Sequence, residues 1–273
     1  MKNVIVRSLS GIVYIALIVG AIFWGQIPFY VLTALFAILG THEFNKISHK
    51  DDESKGGLWA IDSIFAALIT LSAFFDDLPN ITLYIIGLYI LIRCSLALSS
   101  HNADAFVSVA KSILGVMYLS VPLYLLNTLY SKGLGELLVL VTFIMIWLND
   151  TGAFCFGITM GKHKMCERLS PKKTWEGFWG GMFCCILFAV IFSTVVNFSI
   201  HPFYVILCIL LGAVVSVFST LGDLFESMLK RTFGVKDSGH IIPGHGGILD
   251  RIDSLLFVSI AVNIVFMVMS YVR

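Results

Sequence analysis

Nine apolar runs recur along the chain, near residues 9–24, 27–41, 57–75, 81–99, 105–129, 136–159, 175–197, 202–222 and 253–272. A helix needs about 20 mostly apolar residues to cross the hydrocarbon core of a bilayer. In lipid such a helix also satisfies every backbone N–H and C=O within itself, which an open strand cannot do. The fold expected is therefore all-α, a polytopic integral membrane protein with about nine transmembrane helices. The second run is short. Composition agrees: 58% of residues are hydrophobic and 13% charged, with mean hydropathy +0.92, where a soluble domain has about 45–50% apolar and about 25% charged residues. The breaks between runs carry turn chemistry, at Gly25 to Pro28, Asp76 to Asn80, Ser131 to Gly135 and His201-Pro202. Lys2 and Arg7 ahead of the first run imitate a secretory signal. Further apolar runs follow at once without a small-residue cleavage pattern, so the first run is read as a span.

A net charge of +1 gives no electrostatic basis for nucleic-acid binding, so charge has to be read by position. Basic residues accumulate in cytoplasmic loops. With nine spans and a cytoplasmic N-terminus, Lys2, Arg7, Lys46, Lys50, Lys55, Lys162, Lys164, Arg168, Lys172, Lys173, Lys230, Arg231, Lys236 and Arg251 all fall inside, and only Lys132 and Arg273 fall outside. The long connections 160–174 and 223–252 are then both cytoplasmic, at a cell membrane crossed many times. Six cysteines show no C-x-x-C spacing and lie mostly inside apolar runs, so they are read as small core hydrophobes. No internal repeat or soluble domain is visible. Residues 1–273 are read as one membrane-embedded domain, with N-terminal spans over 1–140 and a polar, motif-bearing half over 141–273.

Ionisable groups in or beside membrane spans are costly, which makes each a functional candidate. Asp223 and Glu226, and again Asp250 and Asp253, stand three apart and share a helix face. If the eighth helix continues past Gly222, then Asp223, Glu226, Ser227 and Lys230 form one polar stripe, and the return over 227–249 can bring the two acid pairs together. Clustered carboxylates are oxygen ligands for a hard cation, and magnesium that also contacts substrate phosphates is the usual case. An ion-pair network in which Lys230 and Arg251 neutralise the acids stays open beside that reading, although four acids leave negative charge over. Gly244, Gly246 and Gly247 around His245 precede a helix start, where backbone N–H groups can face an anion. In "SPKKTWEG" (170–177), Ser170-Pro171 ahead of Thr174 and Glu176 is read as an ordered helix start that fixes Lys172 and Lys173. Asp150 in the sixth run is expected to be a buried acid. Around it Ala153, Gly157 and Gly161, with Gly177 and Gly181, carry the small-residue spacing that lets helices pack backbone to backbone. Glu43, His42, Asp62 and Lys111 either line a cavity or pair with one another.

Ser227-Met-Leu-Lys230-Arg231, Lys236-Asp237-Ser238-Gly239 and Pro243-Gly-His245-Gly-Gly247-x-x-Asp250-Arg251-x-Asp253 together resemble the C-terminal pattern of the phosphatidate cytidylyltransferases, or CDP-diacylglycerol synthases. "NDTGAF" (149–154) and "SPKKTWEG" are similar to that family's two upstream blocks, with Phe154 where many members have tyrosine. The resemblance implies transfer of a cytidylyl group from CTP to phosphatidic acid at the head of phospholipid synthesis, with Mg2+, a second cation such as K+, and a homodimer. It implies metal ligands among Asp223, Asp250, Asp253 and Asp150, and a catalytic role for Lys230 and Lys236 on phosphates. Substrate contacts are expected from Ser170, Lys172, Lys173, Ser227, Arg231, Gly244, His245, Gly246, Gly247 and Arg251. Two rivals stand beside it: a polyprenol kinase that attacks the γ-phosphate of CTP, and a cation-coupled transporter, which tends to carry inverted repeats and a midplane site.

Overall fold

The computed structural model describes residues 2–49, 56–75, 78, 80–99, 104–195, 202–239, 241–242 and 246–271. Lys50, Lys55, Asp76, Asp77, Pro79 and His201 lie outside the described residues, as do Gly244 and His245. Among the described residues there are nine α-helices: α1 (Lys2–Trp24), α2 (Gln26–Ser48), α3 (Gly56–Leu71), α4 (Ile81–Leu98), α5 (Ala105–Tyr130), α6 (Gly135–Met160), α7 (Trp175–Val195), α8 (Pro202–Thr232) and α9 (Leu249–Tyr271). A short hairpin of β1 (Lys164–Cys166) and β2 (Ser170–Thr174) joins α6 to α7. Among the described residues eight helices are long and apolar enough to cross a membrane, and the apolar stretch Ser8–Trp24 is shorter. The protein is an all-α, multi-pass membrane protein.

α2 shows why lipid is the solvent. Ile27, Val31, Leu35 and Ile38 form an exposed apolar stripe, whereas Thr33, Thr41, Glu43, Asn45 and Ser48 are buried. A soluble helix has the opposite polarity, with its apolar stripe inward. The run expected to stop at residue 41 continues to Ser48 because Glu43, Asn45 and Ser48 in its last turns face inward and find hydrogen-bond partners. Asn45 Nδ2 donates to Asp62 at 2.9 Å, and Glu43 accepts from the amides of Ile248 and Leu249. Helical pitch, not hydropathy, carries α2 past residue 41.

The chain forms two compact units, residues 1–136 with 233–252, and residues 137–232 with 253–273. In the first, α2 packs on α1, α3 and α5, and α4 packs on α3 and α5. Its core is tied by polar bonds as well as by packing. Tyr30 Oη donates to the carbonyl of Asn127 at 2.8 Å, the Thr33 hydroxyl donates to Asn127 Oδ1 at 2.9 Å, and Asn127 Nδ2 donates to the carbonyl of Thr70 at 3.1 Å. Deeper in α3 and α4, Asp62 and Arg93 form a buried ion pair at 3.2 Å. Asp62 was expected to line a cavity or to pair with Glu43, His42 or Lys111; its partners are instead Arg93 and Asn45. Lys111 instead donates to the carbonyl of Ser48 at 2.9 Å and lies 5.7 Å from the centre of the Phe233 ring.

In the second unit α6 and α7 meet backbone to backbone, as the small-residue spacing predicts. A Cβ on Gly181 would stand 2.8 Å from the carbonyl oxygen of Asn149 and 2.7 Å from its Oδ1. Gly181→Ala therefore has to push α6 and α7 apart, and overpacking of this kind costs about 1–3 kcal/mol. The expected result is a lower midpoint for unfolding in mixed detergent micelles; an unchanged midpoint would mean that the two helices are free to separate. The cysteines depart from expectation, since only Cys185 is buried while Cys94 and Cys155 are exposed and Cys166, Cys184 and Cys208 are half-buried. On a lipid-facing surface a thiol is as acceptable as in a core, so burial does not follow from hydropathy here.

Candidate functional site

The second unit builds its site on Asn149. Its side chain is buried, accepts from the Ser216 hydroxyl at 2.7 Å and donates to Ser219 Oγ at 3.3 Å, which joins α6 to α8. Consecutive helical residues point about 100° apart, so fixing Asn149 inward turns Asp150 outward. Asp150 is exposed, not the buried acid expected from its place in an apolar run. It lines a cleft of about 310 Å³ together with Ser170, Lys172, Lys173, Thr174 and Asp223. The sequence blocks around 150, 172 and 223 thus share one cavity.

The lysines reach that cleft from a strand. Residues 170–174 were expected to begin a helix, but they pair antiparallel with β1, Lys164 opposite Thr174 and Cys166 opposite Ser170. Pro171 explains the difference: it lacks the N–H that a helix interior would use and is tolerated in an edge strand. The helix starts one residue after the strand ends. Thr174 caps it by accepting from Gly177 N at 3.2 Å, and Trp175 N donates to the carbonyl of His163 at 2.9 Å. Glu176 Oε1 lies 2.6 Å from His163 Nδ1, which holds the hairpin to α7 from its exposed side. With both ends of β2 tied, Lys173 Nζ sits 2.7 Å from Asp223 Oδ2 and 3.5 Å from the carbonyl of Thr220, while Lys172 is exposed.

α8 continues unbroken to Thr232, so the polar stripe exists. Asp223, Glu226 and Asp253 each offer a carboxylate oxygen, and all three oxygens lie within 4.8 Å of one another. Gly222 allows this: a Cβ there would stand 2.6 Å from the carbonyl oxygen of Asp253, so only glycine lets α8 and α9 approach so closely. Lys230 Nζ pairs with Glu226 Oε2 at 2.5 Å, and the Ser227 hydroxyl lies 3.4 Å from Asp223 Oδ1. Ser254 N donates to Asp253 Oδ1 at 2.7 Å. Three carboxylates outnumber the two lysines paired with them, and an all-oxygen donor set fits a hard cation such as Mg2+. Of the ion pairs expected from Lys230 and Arg251, the geometry holds Lys230 with Glu226, and it adds Lys173 with Asp223, a partner the sequence did not assign; the three carboxylates remain grouped as a cation site would need them.

The first unit holds Asp250. Its Oδ2 accepts from Gly247 N at 2.8 Å and Ser238 N at 3.0 Å. The amides before α9 were expected to face a bound anion. The Gly247, Ile248 and Leu249 amides point instead at the chain's own carboxylates, Asp250 for the first and Glu43 for the other two. Gly246 takes φ of +89°, a left-handed conformation that a β-carbon disfavours, and its carbonyl accepts from Ile242 N at 3.0 Å. Lys236, Arg231 and Arg251 are exposed, and the Arg251 carbonyl accepts from Tyr14 Oη at 3.1 Å. Sequence reasoning ranked Glu43 low and left Asn149 without a role. Glu43 carried one readable signal, an acid inside a membrane helix.

A multi-pass helical membrane protein with a lysine-lined cleft running into a cluster of carboxylates is the class that fold and site define. Residues 5–269 match the model of the cytidylyltransferase family. The chain is 34% identical to a Staphylococcus haemolyticus protein named phosphatidate cytidylyltransferase over 264 residues, 97% of this chain and 99% of that relative. A Staphylococcus saprophyticus protein of the same name is 34% identical over 261 residues, 95% of this chain and 97% of its own. A Staphylococcus epidermidis relative, again so named, is 44% identical over 165 residues, 60% of this chain and 62% of its own. The chain belongs to the cytidylyltransferase family.

Proposed function

We propose that the chain transfers the cytidylyl group of CTP to phosphatidic acid, giving CDP-diacylglycerol and pyrophosphate. The observation that carries this reading is the position of Asp223, which pairs with Lys173 in the cleft and also belongs to the carboxylate cluster. Two polyanions have to meet, and the site offers cations for phosphates beside acids for a metal.

An oxygen of the phosphatidate monoester attacks the α-phosphorus of CTP. As that P–O bond forms, the bond from the α-phosphorus to the bridging oxygen breaks, and pyrophosphate leaves with the electron pair. A second phosphate pKa of about 6 leaves the nucleophile largely ionised near neutral pH, so no general base is needed. The residues have to bind, align and neutralise. Lys172 and Lys173 hold phosphate oxygens in the cleft, with Ser170 and Asp150 on its wall. Asp223, Glu226 and Asp253 would hold Mg2+, and the sequence motif adds Asp250 to the metal-binding acids, with a second cation such as K+ beside it. Held by these carboxylates, Mg2+ would supply stabilisation of the negative charge on the phosphates. Lys230 and Lys236, with Ser227, Arg231 and Arg251, are assigned phosphate contacts by the same motif, as are Gly244 to Gly247 with His245. The proposal places this site on the cytoplasmic face of the cell membrane, where CTP is present, and includes a homodimer, whose mass native mass spectrometry would read.

The test uses purified protein in mixed lipid and detergent micelles with CTP, phosphatidic acid and Mg2+. Release of pyrophosphate with a cytidylyl lipid is the expected result. Release of CDP with phosphorylation of an added polyprenol would replace the proposal by a kinase, and no turnover by folded protein would end both. Asp250→Asn is expected to abolish turnover while the protein stays folded; full activity would remove Asp250 from the metal site.

A further inference from the structure

α9 begins without a local cap. The residue before Leu249 is Ile248, whose side chain accepts no hydrogen bond, yet the first amides of any helix lack partners within it. The cap comes from α2. Glu43, 2% exposed, accepts from Ile248 N at Oε1 (3.1 Å) and from Leu249 N at Oε2 (2.9 Å), across 205 and 206 residues of chain. A carboxylate here also meets the positive end of the helix dipole.

The same carboxylate reaches Asp250 through one side chain. Ser238 Oγ lies 3.1 Å from Glu43 Oε2 and 3.0 Å from Asp250 Oδ2, and its own amide donates to Asp250. Gly239 and Gly247 close on Glu43 so tightly that a β-carbon at either position would collide with its carboxylate. Five separate features of the segment 238–250 are therefore shaped around one buried acid: two amides, a hydroxyl and two glycines without side chains.

We infer that Glu43 is a positioning residue for the transfer reaction: it fixes the first turn of α9 and, through Ser238, the orientation of the Asp250 carboxylate. The inference rests on the proposed cytidylyl transfer only for its consequence in turnover. Its geometric half concerns residues 43, 238 and 247–250 alone. Glu43→Gln keeps the size but turns one acceptor oxygen into an NH2 donor, so one of the two α9 amides faces a donor. Ser238→Ala removes the bridge and leaves the cap in place, which keeps the test alive if the first variant does not fold.

The experiment compares amide hydrogen exchange over residues 246–250, binding of Mg2+ alone by calorimetry, and turnover against Mg2+ concentration, in wild type and both variants in the same micelles. Residues that orient a metal ligand typically change affinity or activity by about 10–100-fold when removed. Faster exchange at 247–249 in Glu43→Gln is expected. In both variants Mg2+ should bind more weakly and turnover should need more Mg2+, with the KM for phosphatidic acid little changed. Unchanged exchange in folded Glu43→Gln overturns the cap. Where Glu43→Gln does not fold, unchanged Mg2+ binding by Ser238→Ala overturns the inference; Mg2+ binding equal to wild type in both folded variants does the same, leaving Glu43 a structural residue. If wild type shows no cytidylyl transfer, the proposed function fails while exchange and Mg2+ binding still decide this inference.

Discussion

Asp223→Asn is expected to lower cytidylyl transfer by about 10²–10³-fold, the range found when one preorganised electrostatic contact to a developing charge is removed. The substitution is nearly isosteric, so its effect is one of charge. It removes one of three carboxylates that converge within 4.8 Å and also the partner that holds Lys173 Nζ at 2.7 Å. Stability should respond far less. The Lys173 and Asp223 side chains are 23% and 39% exposed, and ion pairs with that access to water contribute about 0–1 kcal/mol. Steady-state turnover and thermal unfolding, measured on one preparation, should therefore separate: a large kinetic loss with a small shift in midpoint. Turnover within about threefold of wild type would remove Asp223 from the site and with it the observation on which the proposed function stands.

The largest effect on stability is expected at the opposite kind of charge. Asp62 and Arg93 are 0% and 3% exposed and lie on two membrane helices. Asp62 also accepts from Tyr89 Oη at 2.8 Å and from Asn45 Nδ2 at 2.9 Å, and Arg93 donates to Ser112 Oγ at 2.5 Å. Asp62→Ala leaves a guanidinium buried without its counter-charge, which costs about 3–5 kcal/mol, and hydrocarbon around the helices offers no water to relieve it. The double replacement Asp62→Leu with Arg93→Met removes both charges and should recover most of that loss. Unfolding midpoints of Asp62→Leu, Arg93→Met and the double variant form a cycle; a double variant as unstable as Asp62→Leu alone would show that the polar network, not the paired charge, holds α3 and α4.

How much of this was legible varied with how local the governing physics is. Helices could be placed from runs of apolar residues because the cost of putting peptide groups into hydrocarbon is settled within each run. The stripe Asp223, Glu226, Ser227 and Lys230 was legible for the same reason, since helical pitch fixes which residues share a face. The start of α7 was half legible: an ordered helix start near Thr174 and Glu176 follows from sequence, but Pro171 makes the preceding residues a strand, and Thr174 as the cap came from the structure. Asp150 was misjudged because hydropathy reports how apolar a run is and not which way one member points. That direction was set by Asn149 finding Ser216 and Ser219 on α8.

The amino-acid sequence alone determined that this chain lives in a membrane as a set of helices, and its motifs group cations and acids in the second half of the chain. Only the tertiary structure decided which polar groups meet. Lys173 found Asp223, and Glu43 was matched to amides more than 200 residues away. The reason is physical: lipid preference is a property each residue contributes independently, whereas a buried hydrogen bond exists only when two distant segments bring a donor and an acceptor to about 3 Å.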